Sequence, residues 1–172
     1  MGKIYFIWFG ICFVCYIIRT IFNVLKYKKS PLAENKRIVT SIFIAMGILW
    51  FSWFQMCFSD PIKINIHGWI RYIGLILFII GVSLFILSNT KLGGFEDKDG
   101  LITSGIYSRI RNPMYLGFII WIIGFPLFTR SLITLATSII WIPQIIYWKI
   151  LEERGLEEKY KEFKVYKKRT WF

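Results

Sequence analysis

Five long apolar runs divide the chain, and each has a length typical of a helix that crosses a membrane. The runs are Ile4–Leu25, Ile38–Phe58, Ile70–Ser88, Pro113–Phe128 and Leu132–Leu151. A helix of the first run would be about 33 Å long, enough to span the hydrocarbon layer of a bilayer. The pattern predicts an all-α integral membrane protein: one membrane domain over residues 1–172, with about five transmembrane helices and a cytoplasmic, amphipathic C-terminal segment.

The spacing within and between these runs predicts how neighbouring helices meet. The last two runs are separated by Thr129, Arg130 and Ser131, so the two helices should form an antiparallel hairpin. Gly74 and Gly81 lie seven residues apart on one face of the third helix. Small residues on one face favour a close contact with another helix.

Composition and charge agree with a membrane protein and indicate its orientation. Of the 172 residues, 56% are hydrophobic, which is more than a soluble domain of this size can bury. The net charge is +12, and apart from Arg19 the basic residues divide 17 to 4 between the two sides of the membrane. Basic loops stay in the cytoplasm, so the N-terminus should be outside and the C-terminus cytoplasmic. In so apolar a chain the positive charge favours this topology over a nucleic-acid partner.

Histidine and cysteine usage argues against a metal centre. His67, the single histidine, falls in an outer connection. Cys12 and Cys15 lie one helical turn apart inside the first run, where small apolar packing is the simpler role. We therefore expect no bound metal. Arg19, near the cytoplasmic end of the same run, should extend its guanidinium towards the membrane surface.

The connection Asn89–Asn112 is long, and its end carries the first candidate chemistry. Asn112 is a good N-cap and Pro113 suits the first helical position, so the fourth helix should begin here with Asn112 as its cap. The free N–H groups of the first turn, beside Arg109 and Arg111, would then form a site for an anion. A plain helix cap next to arginines that set the topology explains the same residues.

Two adjacent glutamates, Glu152 and Glu153, follow the fifth run and carry the second candidate chemistry. Carboxylates near a helix C-terminus oppose the helix dipole, so their position is unexpected. One explanation is that the helix continues into the cytosol, with Glu157 and Lys161 as an i, i+4 pair. The other is that the carboxylates face a cationic or hydroxyl-bearing ligand. Pro143, in the middle of the run, predicts a kink.

These two regions resemble the integral-membrane methyltransferases, the superfamily of isoprenylcysteine carboxyl methyltransferases and phospholipid N-methyltransferases. The superfamily motif reads Leu-Val/Ile-Thr-x-Gly-Pro-Tyr, three residues, then Arg-His/Asn-Pro-x-Tyr-x-Gly. The residues that match it are Thr103, Gly105, Tyr107, Arg111, Pro113, Tyr115 and Gly117. The glutamate pair and a basic tail with Leu156, Tyr160 and Tyr166 are similar to the superfamily's C-terminal region. The resemblance begins near Lys91.

The chain departs from this motif at a few positions. Ile106 stands where the motif has proline. Asn112 stands where the prenylcysteine enzymes have histidine, which is similar to the phospholipid-methylating and bacterial branches. The tail reads Tyr160-Lys161 where many relatives have Phe-Gly. These departures concern the identity of the methyl acceptor more than that of the cofactor.

The resemblance implies methyl transfer from S-adenosylmethionine to a lipophilic or lipid-anchored acceptor, an isoprenylcysteine carboxylate or a lipid amine, at the cytoplasmic membrane face. The part that binds the cofactor would cover about residues 91–172, with membrane lipid as a further partner. The cofactor-binding residues that it implies are Gly105, Tyr107, Arg111, Asn112, Pro113, Tyr115, Gly117, Glu152 and Glu153. Those implied to be catalytic are Arg111, Tyr115 and Glu153.

Two other functions are compatible with parts of the pattern. A membrane reductase related to sterol reductases has a similar His-Pro-x-Tyr-x-Gly element, but it generally continues with Glu where this chain has Phe118. A non-catalytic membrane protein, such as an assembly factor or a lipid-binding protein, is the second alternative. Cofactor binding distinguishes the three: S-adenosylmethionine for the methyltransferase, a reduced nicotinamide for the reductase, and neither for the non-catalytic protein.

Overall fold

The structure is a computed structural model that describes residues 2–92 and 100–172, without the side chains of residues 90–92. Within these residues the chain forms six α-helices: α1 (Gly2–Tyr27), α2 (Lys36–Ser59), α3 (Gly68–Leu92), α4 (Pro113–Thr129), α5 (Leu132–Lys159) and α6 (Phe163–Arg169). Short 3₁₀ turns occupy Pro31–Ala33 and Gly105–Ser108. The part of the long connection at 93–99, with Lys98 of the charge count, lies outside the described residues.

Each apolar run lies inside one of the first five helices, so the prediction that these runs are helical is confirmed. In the described part of the chain, α1, α2, α3 and α5 are long and apolar enough to cross a membrane, and α4 is a shorter apolar helix of 17 residues. Helix α5 continues past Leu151 to Lys159, about 12 Å beyond the predicted span. The glutamate pair therefore lies within a continuous helix and not at its end.

Helices α3 and α4 pack backbone against backbone, as the glycine spacing of α3 predicted. A Cβ atom built on Gly74 would lie 2.7 Å from the carbonyl oxygen of Gly124, and one built on Gly81 would lie 2.7 Å from that of Gly117. No side chain larger than hydrogen fits at such distances unless the helices separate. The contact fixes α4, and with it the motif at its start, against α3.

Aromatic side chains fill the space between α2 and α4. The Trp50 ring centroid lies 4.4 Å from that of Trp121 and 4.8 Å from that of Phe118, and the Phe54 centroid lies 4.9 Å from that of Phe125. Edge-to-face and tilted contacts of this kind stabilise a pair by about 0.5–1.5 kcal/mol beyond the burial of area. These rings form the centre of the bundle.

Helix α1 is joined to α5 by a stack of rings and a polar contact. The ring of Tyr16 stacks on Trp141 and Trp148 with centroids 4.4 and 5.1 Å apart. One turn further along α1, the Thr20 hydroxyl accepts a hydrogen bond of 2.8 Å from the Trp148 indole and another from the Gln144 amide. These contacts fix both the distance and the rotation of α1 relative to α5.

The predicted α4–α5 hairpin is confirmed, and a buried carboxylate fastens it to α2. Arg130 turns the chain in the left-handed conformation, with φ +60°. Asp60, at the end of α2, accepts hydrogen bonds from the Thr134 amide and hydroxyl at 2.7 and 2.8 Å. We call this the hairpin end of the bundle, and we call the opposite end, where α4 begins and α5 emerges, the motif end.

Candidate active site

The motif end begins with the 3₁₀ turn Gly105–Ser108, where Gly105 has φ +63°. Tyr107 in this turn is buried, and its hydroxyl donates to the Ser88 carbonyl at 3.4 Å. Burial raises the pKa of Tyr107, so the hydroxyl stays protonated at neutral pH. The Tyr166 hydroxyl donates to the Tyr107 carbonyl at 2.6 Å. The turn is therefore held between α3 and α6.

Arg111 and Glu153, 42 residues apart in sequence, meet at the motif end. The Arg111 Nε lies 2.8 Å from Glu153 Oε1, and the two side chains are 10% and 7% exposed. The Arg111 Nη1 also donates to the carbonyls of Lys167 and Thr170, at 3.1 and 2.9 Å. One guanidinium thus joins the start of α4 to α5 and to the tail.

Asn112 precedes α4 as predicted, but its predicted role as a side-chain cap is wrong. Its side chain makes no capping hydrogen bond; its Nδ2 donates to Glu153 Oε1 at 2.6 Å and to the Phe172 carbonyl at 3.1 Å. A cap would need the side-chain oxygen to accept from an amide of the first turn. The strong hydrogen bond from Nδ2 to the charged carboxylate orients the side chain instead, and no capping bond forms. The amides of the first turn are left without an Asn112 cap.

Three cations surround the single carboxylate of Glu153. Besides Arg111, the ammonium of Lys149 lies 3.4 Å from Oε1 and that of Lys167 lies 3.3 Å from Oε2. Sequence reasoning missed both lysines. The i, i+4 spacing of Lys149 and Glu153 was a usable signal, whereas the approach of Lys167 depends on how the tail folds back. Glu153 is fully engaged by this chain's own groups.

Glu152, the adjacent residue, is in a different environment. Its side chain is exposed, and its Oε2 accepts a hydrogen bond of 2.7 Å from the hydroxyl of Tyr115, a residue that is 4% exposed. The guanidinium of Arg19 on α1 also interacts electrostatically with this hydroxyl. Sequence reasoning did not connect Arg19 with the motif, because Arg19 precedes Thr103, the first matched motif residue, by more than 80 residues.

The tail after α6 returns across the start of α4. The Trp171 amide donates to the Arg109 carbonyl at 2.8 Å, and the Arg111 amide donates to the Trp171 carbonyl at 2.9 Å. The Lys149 ammonium lies 4.4 Å from the ring centroid of Phe172. The tail therefore shields the Arg111–Glu153 pair from water.

The remaining motif residues occupy separate positions. Gly117 lies in the α3–α4 contact, where a Cβ atom would be 2.6 Å from the Gly81 carbonyl oxygen, and not beside the glutamates. Pro113 is buried at the first position of α4. One explanation of the glutamates predicted that Glu157 pairs with Lys161, and this is wrong. The Glu157 Oε1 instead contacts the Lys167 ammonium at 2.8 Å. Helix α5 ends before Lys161, which removes the i, i+4 geometry.

This arrangement combines a closed network with an open one. The closed network consists of Arg111, Asn112, Lys149, Glu153 and Lys167. The open one consists of Arg19, Tyr115 and Glu152, where charged groups of both signs flank a buried hydroxyl. A ligand with a positive and a negative group finds complementary partners here.

Comparison with known proteins gives one family and several relatives. The sequence model described as phospholipid methyltransferase matches residues 69–162, more than half of the chain. The protein-S-isoprenylcysteine O-methyltransferase A of Arabidopsis thaliana is 27% identical over 103 residues, covering 55% of this chain and 50% of that protein. Two probable protein-S-isoprenylcysteine O-methyltransferases of Oryza sativa, from subspecies indica and japonica, are each 34% identical over 67 residues.

The aligned regions leave much of each relative unmatched. The chain spans about half the length of the Arabidopsis protein. Each alignment with a rice protein covers 34% of this chain and 35% of the rice protein. The matched family region includes the start of α4 and the glutamates of α5, but it does not include α1. No solved structure matches the chain.

Proposed function

The chain belongs to the phospholipid methyltransferase family, and from this premise we propose that it transfers a methyl group from S-adenosylmethionine to a lipophilic acceptor, an isoprenylcysteine carboxylate or a lipid amine. The observation that carries the proposal is a set of contacts at the motif end. Arg111 and Asn112, just before α4, contact Glu153 of α5, and Tyr115 of α4 contacts Glu152. All five residues lie within the matched family region. The chain is an integral membrane protein by its apolar helices.

The residues at the motif end fit the groups of S-adenosylmethionine. Glu152 is an exposed carboxylate whose Oε2 is engaged by a neutral hydroxyl, which suits an ammonium or ribose hydroxyls. The first turn of α4 lacks an Asn112 side-chain cap, so its amides and the positive end of the helix dipole suit a carboxylate. Tyr107 and Gly105, in the adjoining 3₁₀ turn, complete the proposed site.

The chain's own residues would mainly bind, orient and exclude water. When bound, S-adenosylmethionine supplies a methyl group activated by its sulfonium charge. Tyr115 contacts the reacting groups, whereas Arg111 and Glu153 position the start of α4 against α5 and the tail. Alignment of the reactants and removal of water account for most of the rate in such a displacement.

Titration with S-adenosylmethionine tests this proposal directly. We expect the purified protein in lipid nanodiscs to bind it, and Glu152→Gln to weaken binding about 10- to 150-fold, the equivalent of one charge-assisted hydrogen bond. Glu34→Gln, an exposed glutamate in the connection between α1 and α2, is the matched control and should bind normally. Saturable binding of a reduced nicotinamide instead would favour the reductase alternative, and binding of neither would refute the proposal.

A labelling experiment identifies the acceptor class. Incubation with methyl-labelled S-adenosylmethionine and a lipid extract of the host membrane, followed by mass spectrometry, should give a labelled lipophilic product. A base-labile methyl ester indicates a carboxylate acceptor, and a base-stable label indicates an amine. No labelled product from an extract that supports binding would contradict the enzyme function while leaving cofactor binding intact.

The orientation that we propose places the motif end in the cytoplasm, because basic residues are concentrated there. Single cysteines at Ser30, Asn65 and Ser104, in a variant without native cysteines, can be probed with an impermeant thiol reagent on intact cells. Asn65, beside the hairpin end, should react, and Ser30 and Ser104 should not. Reaction at Ser104 would place the motif end on the wrong side for a cytosolic cofactor.

A further inference from the structure

Arg19 carries a charge at a depth where charge is costly. It lies eight residues before the end of α1, about 12 Å along the helix from Tyr27. Its Nε is buried and has no hydrogen-bond partner in the part of the chain that the structure describes. An ionisable side chain inside a transmembrane segment is rare unless it has a function or a paired partner.

Arg19 has neighbouring side chains but no carboxylate partner among the described residues. Its guanidinium carbon lies 5.8 Å from the ring centroid of Phe22, and the guanidinium interacts electrostatically with the hydroxyl of Tyr115. Glu152 accepts a hydrogen bond from that same hydroxyl. Among the described residues, no carboxylate forms an ion pair with Arg19 within 4.0 Å. The positive charge therefore lacks an anion.

The backbone around Arg19 is held in place. Thr20, the next residue, accepts hydrogen bonds from Trp148 and Gln144 of α5, and Tyr16 stacks against Trp148. These contacts fix the rotation of α1, and Arg19, one residue before Thr20, interacts electrostatically with the Tyr115 hydroxyl of α4. A charge on a fixed backbone is preorganised for an anion, because little ordering is needed when the anion binds.

The lipid-facing surface of α1 begins about a quarter turn from this position. Ile18, 40% exposed, lies about 100° around the helix from Arg19, whereas Ile17 and Ile21, 44% and 55% exposed, lie on the far side. A molecule with an apolar tail in the bilayer beside Ile18 would have an anionic end group at the depth of Arg19.

We propose that Arg19 binds the anionic group of the methyl acceptor and so selects a lipophilic carboxylate over a lipid amine. This inference rests on the proposed methyl transfer and adds a residue of α1, which lies outside the matched family region. Glu152 and Arg19 both interact with the Tyr115 hydroxyl, and Glu152 attracts positive groups whereas Arg19 attracts negative ones. A protonated amine approaching Arg19 would be repelled.

The test uses the full chain in phosphatidylcholine nanodiscs and two probes that differ in charge. The first is N-acetyl-S-farnesylcysteine, which carries a carboxylate, and the second is its neutral carboxamide. We compare the wild type with Arg19→Gln, with Arg19→Lys, and with the control Arg37→Gln, which removes the same charge from an exposed position at the start of α2. Direct binding of each probe, S-adenosylmethionine affinity and thermal stability are measured.

We expect Arg19→Gln to weaken binding of the carboxylate probe about 10- to 150-fold and of the carboxamide less than about twofold. Arg19→Lys should lie between the wild type and Arg19→Gln, because an ammonium keeps the charge but not the planar fork of donors. Arg37→Gln should resemble the wild type. Thermal stability should be unchanged or higher in Arg19→Gln, since the substitution removes a half-buried charge that has no carboxylate partner within 4.0 Å among the described residues.

Several outcomes would overturn the inference. Equal affinity of wild type and Arg19→Gln for the carboxylate probe, including no binding by either, would remove Arg19 from acceptor recognition. Weaker binding of S-adenosylmethionine by Arg19→Gln would make it a cofactor residue. Displacement of the carboxylate probe by dodecyl phosphate at equal concentration would indicate a general lipid-phosphate site. If the wild type binds the probe but not S-adenosylmethionine, the proposed function fails and the anion site of Arg19 stands.

Discussion

The two ends of the helix bundle each contain a buried carboxylate. Comparing them distinguishes carboxylates that stabilise the fold from one that is available to a ligand. At the hairpin end, Asp60 is 4% exposed, and its oxygens accept from the Ile62 amide and from the amide and hydroxyl of Thr134. At the motif end, Glu153 is 5% exposed and equally engaged, but the adjacent Glu152 is exposed and accepts from Tyr115.

The comparison shows that burial of an acid does not by itself indicate a site. Asp60 and Glu153 both have their oxygens occupied by groups of this chain, so a ligand could reach them only by breaking those bonds. Glu152 can accept further hydrogen bonds at little cost, because part of it is still in contact with solvent. Ligand binding is expected where the protein leaves acceptor capacity unused.

The largest effect is expected at the hairpin end, from Asp60→Ala. It removes a charged acceptor from buried donors and should lower the free energy of unfolding by about 3–5 kcal/mol. Denaturant titration of the purified protein measures this loss, and Asp60→Asn, which keeps one acceptor oxygen, should lose less. Affinity for S-adenosylmethionine at a temperature where the variant is folded should not change. A large change in that affinity would mean that the two ends are coupled.

The adjacent glutamates should respond in opposite ways. Glu152→Gln should weaken S-adenosylmethionine binding and leave the unfolding free energy within about 0.5 kcal/mol of the wild type, as is usual for exposed positions. Glu153→Gln should lower the unfolding free energy by about 2–3 kcal/mol, because Arg111, Lys149 and Lys167 lose their shared counterion. Calorimetric titration and unfolding of both variants decide the point. Equal effects on binding would show that both carboxylates face the cofactor.

Asn112→Asp distinguishes the two roles considered for Asn112. A helix cap would accept aspartate without loss. In the structure, Asn112 Nδ2 donates to Glu153, so aspartate would put a second carboxylate within about 3 Å of the first. We expect a loss of about 1–3 kcal/mol in unfolding free energy, since a buried donor is replaced by a repelling acceptor. Unchanged or increased stability on the same denaturant titration would restore the capping role.

The smallest effect is expected from Glu157→Gln. Its partner Lys167 is 41% exposed and Glu157 itself 30%, and ion pairs this accessible contribute about 0.2–1 kcal/mol. The hydrogen bond to Glu157 raises the pKa of Lys167. Because a lysine is charged at neutral pH even without such a partner, Lys167 should keep its charge and its contact with Glu153 in the variant. Cofactor affinity should stay within about twofold of the wild type. A tenfold loss would extend the proposed site along α5.

Several features could be predicted from the sequence because their causes are local. Apolar runs define the membrane helices, and the three polar residues between the last two runs leave room only for an antiparallel turn. Gly74 and Gly81 predicted a close helix contact, which α4 provides. The proximity of Arg111 and Glu153 at the motif end also follows from this topology. None of these features depends on the choice between competing side-chain partners.

Other features depended on competition between partners distant in sequence. Asn112 had the correct position and side chain for a cap, but its side chain makes no capping bond and is oriented by the hydrogen bond from Nδ2 to a buried carboxylate 41 residues away. The tail contacts the start of α4 through Trp171 and Phe172, and no spacing in the sequence predicted that return. Gly117 belongs to the motif yet serves the contact with α3, because motif positions do not specify which neighbour they face.

By itself, the sequence determined the helices, their order and the chemistry present at the motif end, because hydrophobic length and residue type are properties of short segments. Only the tertiary structure decided which charges neutralise one another and which stay available. Glu152 and Glu153 are identical side chains in adjacent positions, and the 100° rotation per residue of an α-helix turns one towards three cations and the other towards Tyr115. Arg19 lies near Tyr115 and Glu152 because α1 packs on α5, a contact between segments more than 100 residues apart.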